Sequence, residues 1–307
     1  MAASRRVRAK SAPDEIIPPA RLAGGARPPF SRGTRAPAVL LAVAAAASLA
    51  HGRPPAPTQT APWGSGEDAA AERFLLEAEI VEREELGSGV TLPLRVTLRL
   101  GDRSGRAIFK DVQEEYARAV TGSSRLDDTY FTDRWQHEVA AYRLDRLIGL
   151  GLVPPTVIRT IGGRTGSLQT WIEGAFSERD RVEKNLSLEN PARFQEASGR
   201  MKAFDALIYN VDRNQRNVLI VEPGTRVHLV DHSRAFRLRK QLPIARKESL
   251  PVPAGFAERL AAPQDEAIRA ALEGLLTKAQ IGAILARRKA IAEKLEEERA
   301  ASDREAR

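Results

Sequence analysis

The segment Asp212–Asn217 and the hairpin pattern that follows it constrain the fold of this chain more than any other feature. Two short apolar runs, Val218–Val221 and Val227–Val230, come next, and a Pro-Gly turn signal separates them. Pairing of these runs as antiparallel strands would return Asp231 to the neighbourhood of Asn217. The sequence therefore predicts that three oxygen-bearing side chains meet at the end of a hairpin. For the first segment alone, a surface turn capped by Asp and Asn is the alternative.

These three side chains suit the transfer of a phosphoryl group, which needs positioning and charge neutralisation more than covalent help. Asp212 can accept a hydrogen bond from an attacking hydroxyl, which makes it the candidate catalytic carboxylate. Asn217 and Asp231 can offer hard oxygen ligands to Mg²⁺ or Mn²⁺, which makes them the candidate metal ligands.

An upstream strand pair offers a lysine for the phosphates. Apolar residues alternate with other residues from 92 to 100, the pattern of a half-buried strand, and a partner strand over Ala107–Phe109 ends at Lys110. Two glycines ahead of these strands permit close approach of the backbone to phosphate. The predicted cover consists of Gly87, Ser88 and Gly89. A solvated lysine and an ordinary turn are the alternatives when each feature is taken alone.

A helix predicted over Asp133–Ile148 carries an acidic partner for that lysine. Apolar residues recur there at helical spacing, and Glu138 lies beside the apolar stripe. Glu138 is therefore predicted to point towards the sheet and meet Lys110, while the arginines of the helix face elsewhere and stay solvated. These arginines are Arg134, Arg143 and Arg146. Taken alone, Glu138 could equally be an exposed glutamate on an amphipathic helix.

Two of these stretches resemble known kinases. The run Glu138–Thr156, with its Leu-Asp-Arg and Val-Pro-Pro-Thr, resembles the secretory-pathway kinases that phosphorylate casein-like proteins or the xylose of proteoglycans. The Asp-Arg-Asn-x-x-Asn loop at Asp212–Asn217 is similar to that of phosphoinositide kinases and HipA-like bacterial kinases. Together they indicate a bacterial-style member of the phosphoinositide-kinase-like superfamily over about residues 85 to 240.

The resemblance implies a role for each candidate. Lys110 would hold the phosphates of ATP, Glu138 would fix Lys110 or assist with the metal, and Gly87 to Gly89 would cover the phosphates. The stretch Ser167–Gly174 falls where the family's hinge touches adenine. The predicted adenine contacts are Gln169, Trp171 and Ile172.

The sequence departs from the family in three respects. Asn214 replaces the usual histidine after Asp-Arg, and Asp231-His-Ser replaces the usual Asp-Phe-Gly, which leaves the behaviour of the following loop open. The secretory kinases carry disulfides, whereas this chain has no cysteine.

The expected fold is α+β and two-lobed, like that of protein kinases. We predict a leader over 1–71, a small β-rich lobe over 72–168, a larger helical lobe over 169–297 and a frayed tail over 298–307. The expected activity is transfer of the γ-phosphoryl group of ATP, with Mg²⁺ or Mn²⁺, to a hydroxyl of a protein (Ser/Thr) or a sugar. A pseudokinase binding module and a phosphoinositide (lipid) kinase, acting on a lipid headgroup, are the alternatives. We expect a monomer with no stable transmembrane span.

Charge and composition separate the leader from the rest of the chain. Residues 1–53 hold nine Lys or Arg against two acids, whereas residues 54–307 carry 39 basic and 38 acidic side chains. The net charge of +8 therefore gives no reason to expect a nucleic-acid partner. Ala36–Ala50 is an apolar run suited to the core of a signal peptide, with cleavage predicted near Ala50. Export by this segment and a cytoplasmic location with a mis-called start or an alanine-rich leader remain alternatives.

The C-terminal region predicts two helices. Helical spacing resumes over Glu266–Leu276, and Thr277 is predicted to cap a last helix whose apolar stripe runs from Ile281 to Leu295. The basic residues of that helix, Arg287 among them, are predicted on its exposed face. This pair of helices is expected to pack onto the larger lobe.

Overall fold

The structure, a computed structural model, describes residues 66–87, 93–117, 130–245 and 248–305. The predicted signal-like segment, with most of the predicted leader, lies outside the described residues. Ser88 and Gly89 of the predicted phosphate cover also lie outside them.

A five-stranded antiparallel sheet forms the first part of the fold, with the strand order β1-β2-β3-β7-β6. Its strands are β1 (Glu79–Glu85), β2 (Leu94–Leu100), β3 (Arg103–Lys110), β6 (Thr156–Ile161) and β7 (Arg164–Thr170). Leu94, Val96 and Leu98 are buried and alternate with less buried residues, so the period-two pattern correctly predicted β2. Lys110 is the last residue of β3, as predicted.

A first helix packs on the apolar face of this sheet. The helix α1 spans Gly66–Glu77, so it crosses the predicted lobe boundary at residue 72. Phe74 and Leu75 join a core with buried residues of the strands. Arg159 of β6 donates hydrogen bonds to the carbonyl oxygens of Leu75 and Ala78, at 2.6 and 2.5 Å, which satisfies carbonyls at the C-terminal end of α1.

A pair of antiparallel strands and a second helix follow β3. The strands are β4 (Gln113–Ala117) and β5 (Tyr130–Arg134), and α2 spans Trp135–Leu147. The prediction that Arg134, Arg143 and Arg146 are solvated was wrong. Arg134 ends β5, is half-buried and has a buried Nε atom. Arg146 is largely buried, because it pairs with Asp145 and with Asp68 of α1. Arg143 is half-buried and donates to the carbonyl oxygen of Ala271 at 3.1 Å.

The remainder of the chain is mainly helical. The predicted hairpin forms as β9 (Val218–Val221) and β10 (Arg226–Leu229), with the second strand one residue earlier than predicted, and β8 (Phe176–Ser177) pairs with β9. The helices are α3 (Glu178–Glu183), α4 (Pro191–Ile208), α5 (Phe256–Ala261), α6 (Asp265–Leu272) and α7 (Lys278–Glu305). Thr277 caps α7, since its Oγ1 accepts the backbone N–H of Gln280 at 3.2 Å. The helix α7 continues through most of the predicted frayed tail.

The prediction of an exposed basic face on α7 was wrong at three positions. The side chains of Arg288 and Lys294 are only 16% and 14% exposed, and Arg287 is completely buried. Its guanidinium donates to the carbonyl oxygens of Leu207, at the end of α4, and of Arg237 and Arg239. Buried carbonyl groups need donors, and a guanidinium offers five N–H groups on one side chain. Arg287 therefore fastens α7 to the chain that follows β10.

No helix in the described ranges combines the length and the apolar character needed to cross a membrane.

Candidate active site

The ion pair between Lys110 and Glu138 lies at the centre of the candidate site. The Nζ of Lys110 is 2.7 Å from Oε1 of Glu138, and the two side chains are only 14% and 2% exposed. Burial lowers the pKa of Lys110, but the charges of Glu138 and Asp231 outweigh it and raise this pKa overall. Burial likewise raises the pKa of Glu138, but the charge of Lys110 and a bond with His232 outweigh it and lower this pKa. Both groups are therefore charged at neutral pH.

The second carboxylate oxygen of Glu138 is also occupied. Its Oε2 accepts the backbone N–H of His232 at 3.0 Å. The resemblance implied that Glu138 either fixes Lys110 or assists with metal. In this geometry both of its oxygens have protein partners, which favours the fixing role.

Asp231 joins this pair from the end of the β9–β10 hairpin. Its Oδ1 accepts a hydrogen bond from Lys110 at 2.8 Å, and its Oδ2 accepts one from Nδ2 of Asn217 at 3.3 Å. The backbone N–H of Val230 donates to the carbonyl oxygen of Asn217 at 3.1 Å, so the hairpin brings the two residues together. Asp231 has a φ of 63°, a left-handed conformation that Asp tolerates better than most residues.

Asp212 lies on the loop before Asn217, and its side chain is 53% exposed. Nη1 of Arg234 is 3.3 Å from its Oδ2, while Nε of Arg234 is 2.8 Å from the buried Asp133. Oδ1 of Asn210 accepts the backbone N–H of Asp212 at 3.2 Å. The carboxylate is thus held in place and still open to solvent. The structure gives no direct contact between Asp212 and Lys110.

The sequence reasoning missed a clamp formed by Arg213. This guanidinium makes a two-point ion pair with Asp205, at 3.0 Å to each oxygen, and donates to the carbonyl oxygens of Asn217 and Val230. It therefore ties the loop that carries Asp212 to the strand that precedes Asp231. The signal in the sequence is the arginine directly after Asp212 in the Asp-Arg-Asn motif.

The Asp-His-Ser departure places a histidine in the interior. His232 is fully buried beside Phe204, with ring centroids 6.2 Å apart. Burial lowers the pKa of His232, so the ring is neutral at pH 7. The next residue, Ser233, accepts hydrogen bonds at its carbonyl oxygen from the N–H of Arg134, at 3.0 Å, and from Nδ1 of His137, at 2.6 Å. His232 and Ser233 are therefore both fixed to α2 or to Arg134, the residue directly before it.

The three predicted adenine contacts lie in or just after β7. Gln169 is buried and donates to Oγ1 of Thr156 at 2.9 Å. The ring of Trp171 lies 5.5 and 5.4 Å from the guanidinium carbons of Arg95 and Arg106, and Ile172 follows it, half-buried. Gln169 pairs in register with Ile108, two residues before Lys110. Their contact with adenine stays a prediction.

Gly87 is the described part of the predicted phosphate cover. It follows the end of β1, and no described residue beyond its two chain neighbours lies within 4 Å of the position that a Cβ would take. The N–H of Leu86 donates to the carbonyl oxygen of Pro93 at 3.0 Å, which closes the connection to β2. A glycine at this position permits a close approach of a ligand to the backbone.

The residues present fit a hard divalent cation. Among the described residues, no group of three or more His, Cys, Asp or Glu side chains could hold a metal. Mg²⁺, however, is commonly bound by one or two protein oxygens together with phosphate oxygens of a substrate. Asp231, with 46% of its side chain exposed, and the amide oxygen of Asn217 beside it provide such a pair.

Solved structures show which fold this arrangement belongs to. A structure of hydra Fam20 with sugar matches with a TM-score of 0.53 and 15% identity, covering 76% of this chain and 89% of that one. The chain has a protein-kinase-like fold. A structure of a Golgi casein kinase matches with a TM-score of 0.50 and 13% identity, covering 76% of this chain and 75% of that one. No protein-family model and no curated protein sequence matches the chain.

The predicted α+β, two-lobed kinase-like fold is therefore confirmed. At this identity the comparisons concern the fold alone. The roles of the individual site residues stay predictions, and they depend on the geometry described above.

Proposed function

We propose that this protein is a kinase that transfers the γ-phosphoryl group of ATP to a hydroxyl of a protein (Ser/Thr) or a sugar. The observation that carries the proposal is the position of Lys110, whose ammonium contacts Glu138 at 2.7 Å and Asp231 at 2.8 Å. A buried lysine paired with a helix glutamate, next to a metal-type Asp and Asn, is the set of groups that phosphoryl transfer needs.

Each group has a distinct task in this proposal. Lys110 offsets the negative charge of the nucleotide phosphates, and Glu138 keeps the ammonium in position. Asp231 and Asn217 would hold Mg²⁺ or Mn²⁺, which supplies further charge neutralisation at the phosphates. Asp212 accepts a hydrogen bond from the acceptor hydroxyl and takes its proton, and Arg234 holds that carboxylate in place.

The proposed acceptor classes agree with the names of the two structures of similar fold. One was determined with a sugar, and the other is a casein kinase. The exposure of Asp212 is compatible with both a protein and a sugar as acceptor, because a large substrate can reach an exposed carboxylate as well as a small one can.

One observation favours a second candidate, a pseudokinase that binds partners without transferring phosphate. Lys110 donates a hydrogen bond directly to Asp231, so the proposed phosphate-binding ammonium and the proposed metal ligand satisfy each other. A nucleotide with its metal must separate them. Direct measurement of nucleotide binding therefore decides between the two candidates before any acceptor is known.

We expect ATP with Mg²⁺ or Mn²⁺ to raise the thermal stability of the full chain, by about 2.7 kcal/mol at ~100-fold above Kd. Lys110→Ala and Asp231→Ala should lose this metal-dependent increase. Lys202→Ala, which removes an exposed lysine of α4, is the matched control and should keep it. No increase in the wild-type protein would contradict a nucleotide site.

Transfer is then measured with γ-labelled ATP, using casein and xylose as the first acceptors. Asp212→Asn should keep the nucleotide-dependent stability and reduce transfer by roughly 10²–10⁴-fold, the usual contribution of a positioned acid–base group. Transfer by Asp212→Asn at the wild-type rate would refute the assigned mechanism. Nucleotide binding without transfer to any acceptor would support the pseudokinase.

A further inference from the structure

A cavity bounded by three elements shares no lining residue with the candidate active site. It lies between the loop after α2, the first half of α4 and strand β10, and its volume is about 160 Å³. The residues that line it are Leu150–Leu152, Arg193, Ala197, Arg200 and Thr225–His228. We call it the arginine cavity, because three of these side chains are arginines.

The positive charges of the arginine cavity have no carboxylate partner in the described part of the chain. No Asp or Glu lines it, and Arg193, Arg200 and Arg226 make no ion pair with a described residue. Arg193 donates instead to the carbonyl oxygen of Gly224 at 3.0 Å, and Arg200 to that of Leu150 at 3.2 Å. These bonds hold two guanidinium groups in place without neutralising their charge.

Two residues that line the cavity each have a buried nitrogen atom without a hydrogen-bond partner among the described residues. These atoms are Nε of Arg200 and Nδ1 of His228. A buried polar group without a partner costs about 1–3 kcal/mol, so native proteins usually satisfy it with protein, water or ligand. Burial, together with the nearby charges of Arg226 and Arg146, lowers the pKa of His228 to about 4. The local potential is therefore positive.

We propose that the arginine cavity binds a phosphate group. Guanidinium groups recognise phosphate oxygens through paired N–H donors, and they are well suited to this because the fork is planar and always charged. The cavity is more than large enough for one ordered water, yet smaller than the pockets of about 300–1,000 Å³ that enclose drug-sized ligands. A phosphate-sized anion fits this range better than a whole nucleotide does. The proposal does not depend on the proposed kinase activity.

The experiment measures binding of inorganic phosphate to the full chain by calorimetric titration, without nucleotide or metal, against chloride at matched ionic strength. Arg226→Gln is the primary variant, because Arg226 is exposed and its loss should leave the fold intact. We expect it to raise the Kd for phosphate ~10-fold, the effect of one lost charged hydrogen bond. Arg269→Gln, an exposed arginine of α6, is the control and should leave Kd unchanged.

Two further variants keep the outcome clear. Arg200→Gln should also weaken binding, and Lys110→Ala should not, which separates the arginine cavity from the candidate active site. O-phosphoserine tests the source of the phosphate: tighter binding than inorganic phosphate indicates a phosphorylated side chain, and equal or weaker binding indicates the free ion. Phosphate binding no stronger than that of chloride, or binding lost in Lys110→Ala but not in Arg226→Gln, would overturn the proposal.

Discussion

The Lys110–Glu138 ion pair can be broken by replacing either partner, and we expect the two single substitutions to destabilise the protein by unequal amounts. In Lys110→Met, the carboxylate of Glu138 stays buried, at 2% exposure, with the N–H of His232 as its remaining close donor. In Glu138→Leu, by contrast, Lys110 keeps Asp231 at 2.8 Å and is itself 14% exposed. The first variant leaves an uncompensated buried charge, and the second leaves a charge that is still paired.

The magnitudes follow from this asymmetry. Breaking a buried pair by removing one partner costs about 3–5 kcal/mol, and we expect Lys110→Met to fall in that range. Glu138→Leu should cost about half as much, since Lys110 retains one carboxylate. The double variant should be about 3 kcal/mol more stable than the sum of the single effects predicts, because neither charge then remains unpaired.

The free energy of unfolding is measured by urea titration at pH 7, with equal m-values required among the variants. Without Lys110, burial is the largest influence on Glu138, and we expect it to raise the pKa of this carboxyl above the unfolded value despite the opposing bond with His232. The folded chain then holds a proton that the unfolded chain has released, so the destabilisation by Lys110→Met should shrink as the pH falls from 8 to 5. Arg73 and Glu77, an exposed pair, provide the control cycle and should show almost no coupling.

Two results would refute this reasoning. The first is additivity of the single effects in the double variant, which would mean that the pair contributes no interaction energy. The second is a larger cost for Glu138→Leu than for Lys110→Met, which would mean that Asp231 does not compensate the lysine.

Two other changes test the interior. Burial lowers the pKa of His137 from 6.5 to about 4. The contribution of the neutral ring to the free energy of unfolding is therefore fully present above about pH 6.5 and is lost as the pH falls towards 4. His137→Gln should reduce the slope of the free energy of unfolding against pH between 6.5 and 4 by up to about 1.4 kcal/mol per pH unit, as measured by urea titrations. An unchanged slope would contradict the role given to His137. Arg287→Met should cost about 3–5 kcal/mol in the same assay because it leaves three carbonyl groups without their donor. Lys289→Met, at a side chain that is 80% exposed, should change stability by less than ~0.5 kcal/mol, and equal effects at the two positions would refute the role of Arg287.

The elements that the sequence predicted well are those with local signals. The alternation of Leu94 to Leu100 and the paired apolar runs around a Pro-Gly turn depend only on neighbouring residues, so β2 and the β9–β10 hairpin could be located within a residue or two. The Lys110–Glu138 contact was predicted because the end of a strand and the face of a helix fix where each side chain lies. The α1 helix lacked such a signal, since only Phe74 and Leu75 of its residues are buried.

Contacts between distant segments were the ones that the sequence could not predict. Arg287 lies among Arg288 and Lys289, and helical periodicity places it on the polar side of α7. Only the packing of α7 against the end of α4 shows that unpaired carbonyl groups meet it there. Arg234 is similar, since its partners Asp133 and Asp212 are 101 and 22 residues away.

The contacts of Glu138 join the two halves of the candidate site into one unit. One oxygen holds Lys110 at the end of β3, and the other holds the backbone N–H of His232, directly after Asp231. Because Asp231 adopts a left-handed conformation, its carboxylate reaches Lys110 while the next N–H reaches Glu138. A shift of α2 would therefore displace the lysine and the predicted metal ligand together. It follows that substitution of Glu138 should release both groups from α2 while their mutual contact remains, whereas a substitution at Asp212, held separately by Arg234, should leave them attached.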